Sequence, residues 1–253
     1  MKILTINLHC FAEKNIILNQ NTIVESILEE NIDVILLQEV AQTRTCNIVS
    51  DDVKADNYGY KLKQSLALSG VNYYYHYKFG NQAFGLYDEG LAILSKTKLT
   101  DKKHFFISKT KDYNNWNTRI IVSAKTVIEG KEIVFTSTHL GWTDGYEVFE
   151  DQVDLLIDNL NSEDINIIAG DYNISPGTKE YKHIISKGYI DLFFNNEKKY
   201  FNIPTHINDI DQKVGSSRID YVMSNRQFKI LNRKVLFNKY RVSDHYGILI
   251  ELE

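Results

Sequence analysis

A chain of 253 residues with 43% hydrophobic and 25% charged side chains can bury a sizeable core, and its composition excludes a disordered or fibrous protein. The net charge is −4, and the nearest thing to a basic block is the loose scatter Lys96, Lys98, Lys102, Lys103, Lys109 and Lys111. That balance argues against a tight grip on a long nucleic-acid backbone, where each phosphate contact needs a cation. No apolar run of about 18 residues offers a membrane helix. Two prolines and no Gly/Ser/Pro-rich divider predict a single domain over 1–253. Cys10 and Cys46 form neither a disulfide framework nor a metal-ligand pattern. The chain enters an apolar strand at once, with no signal-like segment, so a reduced, cytoplasmic protein is expected.

In chain order, residues 2–8 and 33–37 read as buried strands, and Ile17, Ile23, Val24, Ile27 and Leu28 recur between them at helical spacing. A second helix is expected over 58–69. Strands rich in β-branched and aromatic residues follow at Tyr73 to Phe79, Leu91 to Leu94, 119–128 and 131–138. Glu129-Gly130 is a natural two-residue turn joining the last two into a hairpin. Over 146–160, Phe149, Val153, Leu156 and Leu160 share one face of an amphipathic helix. Then come a strand at 165–169, a short helix at 178–187, and strands at 218–223, 228–236 and 246–252. Hairpins mixed with crossovers predict a layered α/β protein with mixed sheets.

The apolar runs are interrupted by polar residues at their ends: Asn7, Gln38-Glu39, His139, Asp171 and Asn173, Asp220, and Asp244-His245. Any one of these has an ordinary role as a turn cap or a solvated strand end. Together, oxygen donors and two histidines recurring at strand termini suit a hard divalent cation beside proton-handling imidazoles.

The strings Leu4-Thr5-Ile6-Asn7, Leu36-Leu37-Gln38-Glu39-Val40, Gly90-Leu91-Ala92-Ile93-Leu94-Ser95, Ser137-Thr138-His139-Leu140, Gly170-Asp171-Tyr172-Asn173, Arg218-Ile219-Asp220-Tyr221 and Ser243-Asp244-His245-Tyr246-Gly247 resemble the endonuclease/exonuclease/phosphatase family. They occur in that family's order and span nearly the whole chain. The resemblance implies a four-layer α/β/β/α sandwich of two mixed β-sheets flanked by helices, and a phosphoesterase dependent on Mg²⁺, with Mn²⁺ as a substitute. It makes Glu39 the principal metal ligand, with Asn7 nearby and Asp244 as a further ligand. Asp171 orients or deprotonates the attacking water, and Asn173 fixes that water or donates to a phosphate oxygen. His245, paired with Asp220, contacts the phosphate, and His139 stands near the leaving-group oxygen.

Further strings narrow the substrate. Asn7-Leu8-His9, Tyr87-Asp88-Glu89-Gly90, Asp112-Tyr113-Asn114-Asn115-Trp116-Asn117-Thr118-Arg119 and His139-Leu140-Gly141-Trp142 are similar to a bacterial group of maltose 6′-phosphate phosphatases. That likeness implies a small phosphorylated sugar as partner, with Tyr113, Trp116, Trp142, Arg119 and His9 lining its pocket. Each Trp has an equal claim to simple loop packing, and Arg119 to pairing with a carboxylate. His9 stands where apurinic endonucleases carry an acidic residue, which puts a second metal ligand there in doubt. A nuclease is the alternative, and its sign would be a continuous basic groove beside the site. A lipid phosphodiesterase would want an export signal and an apolar hairpin, neither of which is seen. A dead binding module would have lost Glu39, Asp171, Asn173 or His245. No membrane and no protein partner are implied.

Overall fold

A computed structural model describes residues 1–143, 145–207 and 217–253. The chain runs β1 (Lys2–Asn7), α1 (Ile16–Glu30), β2 (Val34–Thr43), the short β3 (Ile48–Ser50) and β4 (Val53–Lys54), then α2 (Tyr58–Leu68), β5 (Tyr74–Ala83), β6 (Tyr87–Ser95) and β7 (Thr100–Phe106). It continues with β8 (Ile120–Ile128), β9 (Lys131–His139), α3 (Phe149–Asp158), β10 (Ile165–Asp171), α4 (Lys179–Ser186), β11 (Ile190–Asp191), β12 (Asp220–Ser224), β13 (Ile230–Leu236) and β14 (Gly247–Leu252). Two six-stranded sheets form, in the orders β13-β14-β1-β2-β6-β5 and β11-β12-β10-β9-β8-β7.

Each sheet is antiparallel except for one parallel pair at its centre, β1 with β2 and β10 with β9. The crossovers α1 and α3 make those pairs possible, because parallel neighbours need a long return connection. Period-two alternation divides the side chains into layers. Ile3, Val34, Leu36, Val122, Phe135, Ile167, Ala169 and Val222 meet between the sheets. Leu4, Ile6, Ile35 and Leu37 turn the other way, against Ile23, Val24 and Ile27 of α1 and Leu62 and Leu66 of α2. On the second sheet Ile121, Ile168, Tyr221 and Met223 receive Phe149, Val153 and Leu156 of α3 and Ile184 of α4. The expected four-layer α/β/β/α sandwich is the fold.

The hairpin at Glu129-Gly130 is present, with φ of 51° and 77° at the two turn residues. The β3–β4 ribbon, β7 and the short β11 lie outside the sequence expectation. β7 is an edge strand whose residues are nearly all exposed, so it lacks the apolar alternation by which strands are recognised. Its Asp101, Lys102, Lys103 and His104 instead give the charged edge that discourages strand addition.

Candidate active site

The alternation that builds the core also aims the polar strand ends. Asn7 has the parity of Ile3, His139 that of Phe135, Asp171 that of Ala169 and Asp220 that of Val222, so all four project between the sheets. They lie at the C-terminal ends of the central parallel strands and at the start of their antiparallel neighbour β12. Gln38 does the same, but its amide is spent on cohesion: Nε2 donates to Ser137 Oγ at 3.0 Å across the sheets.

Glu39 breaks the rule. Its parity sends it to the helix side, yet the β2–β6 register slips between Leu37 and Val40 and Glu39 takes a left-handed φ of 49°. This bulge re-aims the carboxylate into the site, where Asn7 Nδ2 donates to Glu39 Oε1 at 2.9 Å and to Asp171 Oδ2 at 3.1 Å. Close approach of the strands requires Gly170, since a Cβ there would lie 1.9 Å from the carbonyl oxygen of Thr138.

Asp171, 1% exposed, is the hub. His245 Nε2 lies 3.5 Å and His139 Nε2 3.6 Å from its Oδ2. Burial pushes its carboxyl well above the usual range, helped by Asp220, while His245 opposes the shift. On the far side of His245, Nδ1 contacts Asp220 Oδ1 at 3.2 Å and Oδ2 at 3.0 Å. Burial disfavours a charged His245, but Asp220 and Asp171 together outweigh it and raise the imidazole to about 10. His139 goes the other way: burial, Arg119 and His245 hold it well below its ordinary value, so it is neutral.

Asn173 Nδ2 donates to Leu140 O at 2.8 Å, and its Oδ1 is buried without a hydrogen-bond partner. The free oxygen suits accepting from the attacking water, and the second N–H of Nδ2 is still a donor for a phosphate oxygen. The backbone is held for this too, with Asn173 in a left-handed φ of 52° and its N–H on Asp171 Oδ1 at 2.9 Å.

Arg119 is 7% exposed, with Nη1 on Trp116 O at 2.7 Å and Nε unpartnered. It lines a cavity of about 20 Å³ with Glu89 and His139, room for roughly one water. Trp116 and Trp142 are half-exposed, whereas Tyr113 is drawn away from the cluster. Its hydroxyl donates to Asp88 at 2.5 Å, and it lines a separate depression with Arg44 and Phe79. His9 lies 2.9 Å from Glu13 and 3.5 Å from Asp244.

Besides Glu13, four residues near the site lie outside the sequence reading of it. Glu89 lies 4.0 Å from His139 Nδ1, and its carboxylate groups with Glu39 and the Cys10 sulfur within 4.8 Å. Burial and Glu39 push Glu89 up, and burial, Glu89 and Glu39 do the same to Cys10, so this free thiol belongs to the site's surroundings. Thr205 Oγ1 accepts from the N–H groups of Ile219 and Asp220. His206 packs its ring on His245 at 4.8 Å between centroids. Glu89 does stand inside a quoted string, but its neighbour Asp88 is equally acidic and nothing local separates them. The converging oxygens fit a hard cation: Glu39 and Glu89 are carboxylates held close in a poorly solvated place, where a divalent ion relieves their repulsion.

The comparisons agree with this geometry. The model of the Endonuclease/Exonuclease/phosphatase family matches residues 4–245. An endonuclease/exonuclease/phosphatase family protein from Leptotrichia buccalis C-1013-b is 29% identical, with a TM-score of 0.90 over 100% of this chain and 99% of that one. A mannosyl-6-phosphatase from Bacteroides thetaiotaomicron VPI-5482 shares the fold at 17% identity and a TM-score of 0.72, covering 100% and 99%. So does the human Nocturnin catalytic domain with bound sulfate, at 17% and 0.75, covering 100% and 93%. No curated protein matches the sequence. Among the described residues no helix is long and apolar enough to cross a membrane. With the family model matched over nearly its whole length and the same sandwich in its neighbours, this chain belongs to the endonuclease/exonuclease/phosphatase family.

Proposed function

We propose that the chain, as one domain, is a Mg²⁺-dependent phosphatase that releases phosphate from a small phosphorylated sugar, of the kind represented by maltose 6′-phosphate. The observation that carries this is the Asp171–His245–Asp220 relay: a buried carboxylate with a raised pKa beside an imidazolium fixed by a second carboxylate. Asp171 takes the proton of the attacking water. Asn173 Oδ1 accepts a hydrogen bond from the same water. His245 donates to a non-bridging phosphate oxygen and offsets its charge. His139, neutral and beside Glu89, serves the leaving-group oxygen. Glu39 and Asn7, with Glu89 beside Glu39 and Asp244 as a further ligand, would hold the cation, which would supply Lewis-acid stabilisation of the phosphoryl charge. Arg119 borders the phosphate, and the half-exposed Trp116 and Trp142 offer faces for a sugar at the rim.

Substrate size follows from charge. Glu13, Glu39, Glu89, Asp171, Asp220 and Asp244 crowd the site, and among the described residues Arg119 and Arg241 are basic side chains near them. A polyanionic strand finds few cations to track beside such a centre, whereas one phosphate needs only the cation and His245. The phosphatase named among the structural neighbours supports the same reading. The nuclease alternative draws on a groove of about 920 Å³ along β5, lined by Lys63, Lys78, Lys96, Lys102, His76 and His104. It starts toward the strand end opposite the site.

Metal-stripped protein should release no phosphate from any member of a panel of phosphorylated sugars, nucleotides and single- and double-stranded DNA. Mg²⁺ or Mn²⁺ should restore turnover on sugar phosphates. Full activity in excess chelator would defeat the metal-dependent mechanism, and cutting of DNA without sugar-phosphate turnover would select the nuclease.

The charge on His245 predicts a pH profile. A raised pKa means the imidazolium persists through neutrality and is lost as pH rises through about 10, along with the stability it contributes below its unfolded value. Turnover should therefore hold to about pH 9. In Asp220→Asn the carboxylate favouring the cation is gone, so the alkaline fall should move at least a unit lower and kcat should drop by ~10²-fold. An unmoved alkaline limb would remove His245 from the role assigned to it.

A further inference from the structure

Two loops border His139 on adjacent strands. Residues 107–119 lead into β8, and residues 140–143 and 145–148 follow β9 toward α3. β8 and β9 pair side by side, with Ile121 opposite Thr138, so both loops stand at the same end of the sheet. The chain's two tryptophans sit one on each loop, Trp116 and Trp142, 58% and 45% exposed. Arg119 closes the first loop and lines the small cavity with His139 and Glu89, which places that loop on the rim of the site.

Glu147 joins them. It is 6% exposed and commits both oxygens across the gap: Oε2 accepts from Lys109 N at 3.0 Å and Oε1 from Thr110 N at 3.1 Å. A carboxylate on two consecutive backbone donors makes charge-assisted bonds, stronger than neutral ones. Both oxygens thus serve the neighbouring loop rather than the start of α3, whose first turn has its own acids in Glu150 and Asp151. Each end of the clasp is anchored. Phe149 and Val153 of α3 are core, and Gln152 Oε1 accepts from Gly141 N at 2.9 Å, beside Trp142. In the other loop Ile107 is core, and Ser108 Oγ donates to Thr110 O at 2.7 Å while accepting from Arg119 N at 2.8 Å. Arg119 Nη1 in turn holds Trp116 O, so a continuous set of bonds runs from Glu147 to the backbone of Trp116.

We propose that Glu147 is a positioning residue for the sugar: by clasping the two loops it holds Trp116 and Trp142 at one spacing, so that a sugar phosphate meets both indoles already in place. The inference rests on the sugar-phosphate reading above. Aromatic faces fixed before binding cost no loop ordering when the ligand arrives, and that saving appears as affinity. Glu147 bonds the loop backbone rather than the Asp171–His245–Asp220 relay, so its loss should be felt in sugar binding and not in the chemical step.

The test compares Glu147→Ala and Glu147→Gln with the wild-type chain, thermal melts confirming that each folds. In Glu147→Ala the KM for maltose 6′-phosphate should rise ~10-fold with kcat within about twofold, the pattern of lost uniform binding. Glu147→Gln keeps one acceptor and should fall between; it carries the comparison if the alanine variant does not fold. Competitive inhibition by inorganic phosphate, which has no sugar to meet the rim, should be unchanged in both. Because Trp116 and Trp142 are the chain's only tryptophans, their emission also reports on the rim without turnover. In an Asp171→Asn background with Mg²⁺, maltose 6′-phosphate should change that emission, and adding Glu147→Ala should raise the midpoint ~10-fold. Equal weakening of phosphate and sugar ester, a fall in kcat at constant KM, unaltered kinetics, or emission indifferent to the sugar ester would each overturn the inference while the phosphatase reading stands. A wild-type chain that neither binds nor hydrolyses any sugar phosphate would overturn that reading and this inference together.

Discussion

Asp171→Asn should lose turnover by ~10³-fold, within the range for removing a general base, and yet melt no lower than the wild-type chain at pH 8. The two halves of this expectation share one cause. Burial raises the folded-state pKa of Asp171 above the ordinary carboxylate value. A group shifted in that direction costs stability as pH rises from its unfolded pKa through the raised folded one, because the folded protein must then hold the charge. At pH 8 the full cost is present. An uncharged amide removes it while still accepting from Asn173 N through its oxygen. Part of the gain is offset because Asn7 Nδ2, which now donates to Asp171 Oδ2, loses that acceptor. Initial rates with saturating Mg²⁺, paired with thermal melts in chelator at pH 8, separate the two effects. A variant that keeps more than a tenth of the activity, or that falls by several degrees in Tm, contradicts the argument.

Arg218→Met should destabilise the chain by about 3–5 kcal/mol, the usual consequence of removing one partner of a buried ion pair. Arg218 is 1% exposed and Asp191 3%, and the guanidinium grips Asp191 while lying 4.4 Å over the ring of Tyr221. The methionine fills most of the volume but leaves the buried Asp191 carboxylate without its cation. Asp191 keeps hydrogen bonds from the Tyr181 hydroxyl and from the N–H groups of Phe193 and Phe194. Those donors soften the loss but do not neutralise the charge. For a chain of this size the expected fall in Tm is roughly 10 °C. Adding Asp191→Asn should recover much of it, since the amide oxygen still accepts from Phe193 and Phe194. Chemical denaturation of the three variants measures the coupling, and a double variant no more stable than Arg218→Met alone would refute the charge argument. Because Ile219 and Asp220 follow Arg218 directly, the single variant should also lose activity at temperatures where it remains folded.

Period-two and period-3.6 patterns predict a layered α/β protein with mixed sheets, and the family resemblance adds the four-layer sandwich, in which each strand offers one face to the other sheet and one to a helix. In the fold the same alternation directs Asn7, His139, Asp171 and Asp220 between the sheets, because Ile3, Phe135, Ala169 and Val222 are core there. What periodicity cannot express is a defect in itself. Glu39 enters the site only because β2 slips one place against β6, a matter of pairing between strands some fifty residues apart. β7 escaped for a related reason, since an exposed edge strand has no buried face to leave a pattern.

The amino-acid sequence by itself determined the α/β class, the order of the main helices and buried strands and the polar residues that end the apolar runs, since these follow from local periodicity and side-chain chemistry. Only the tertiary structure decided that Asn173 bonds the carbonyl of Leu140, that Tyr113 is drawn off to Asp88, and that His9, Glu13 and His206 gather around Asp244. Those are contacts between segments distant in the chain, fixed by bulges, left-handed turns and hydrogen bonds whose partners no local spacing specifies.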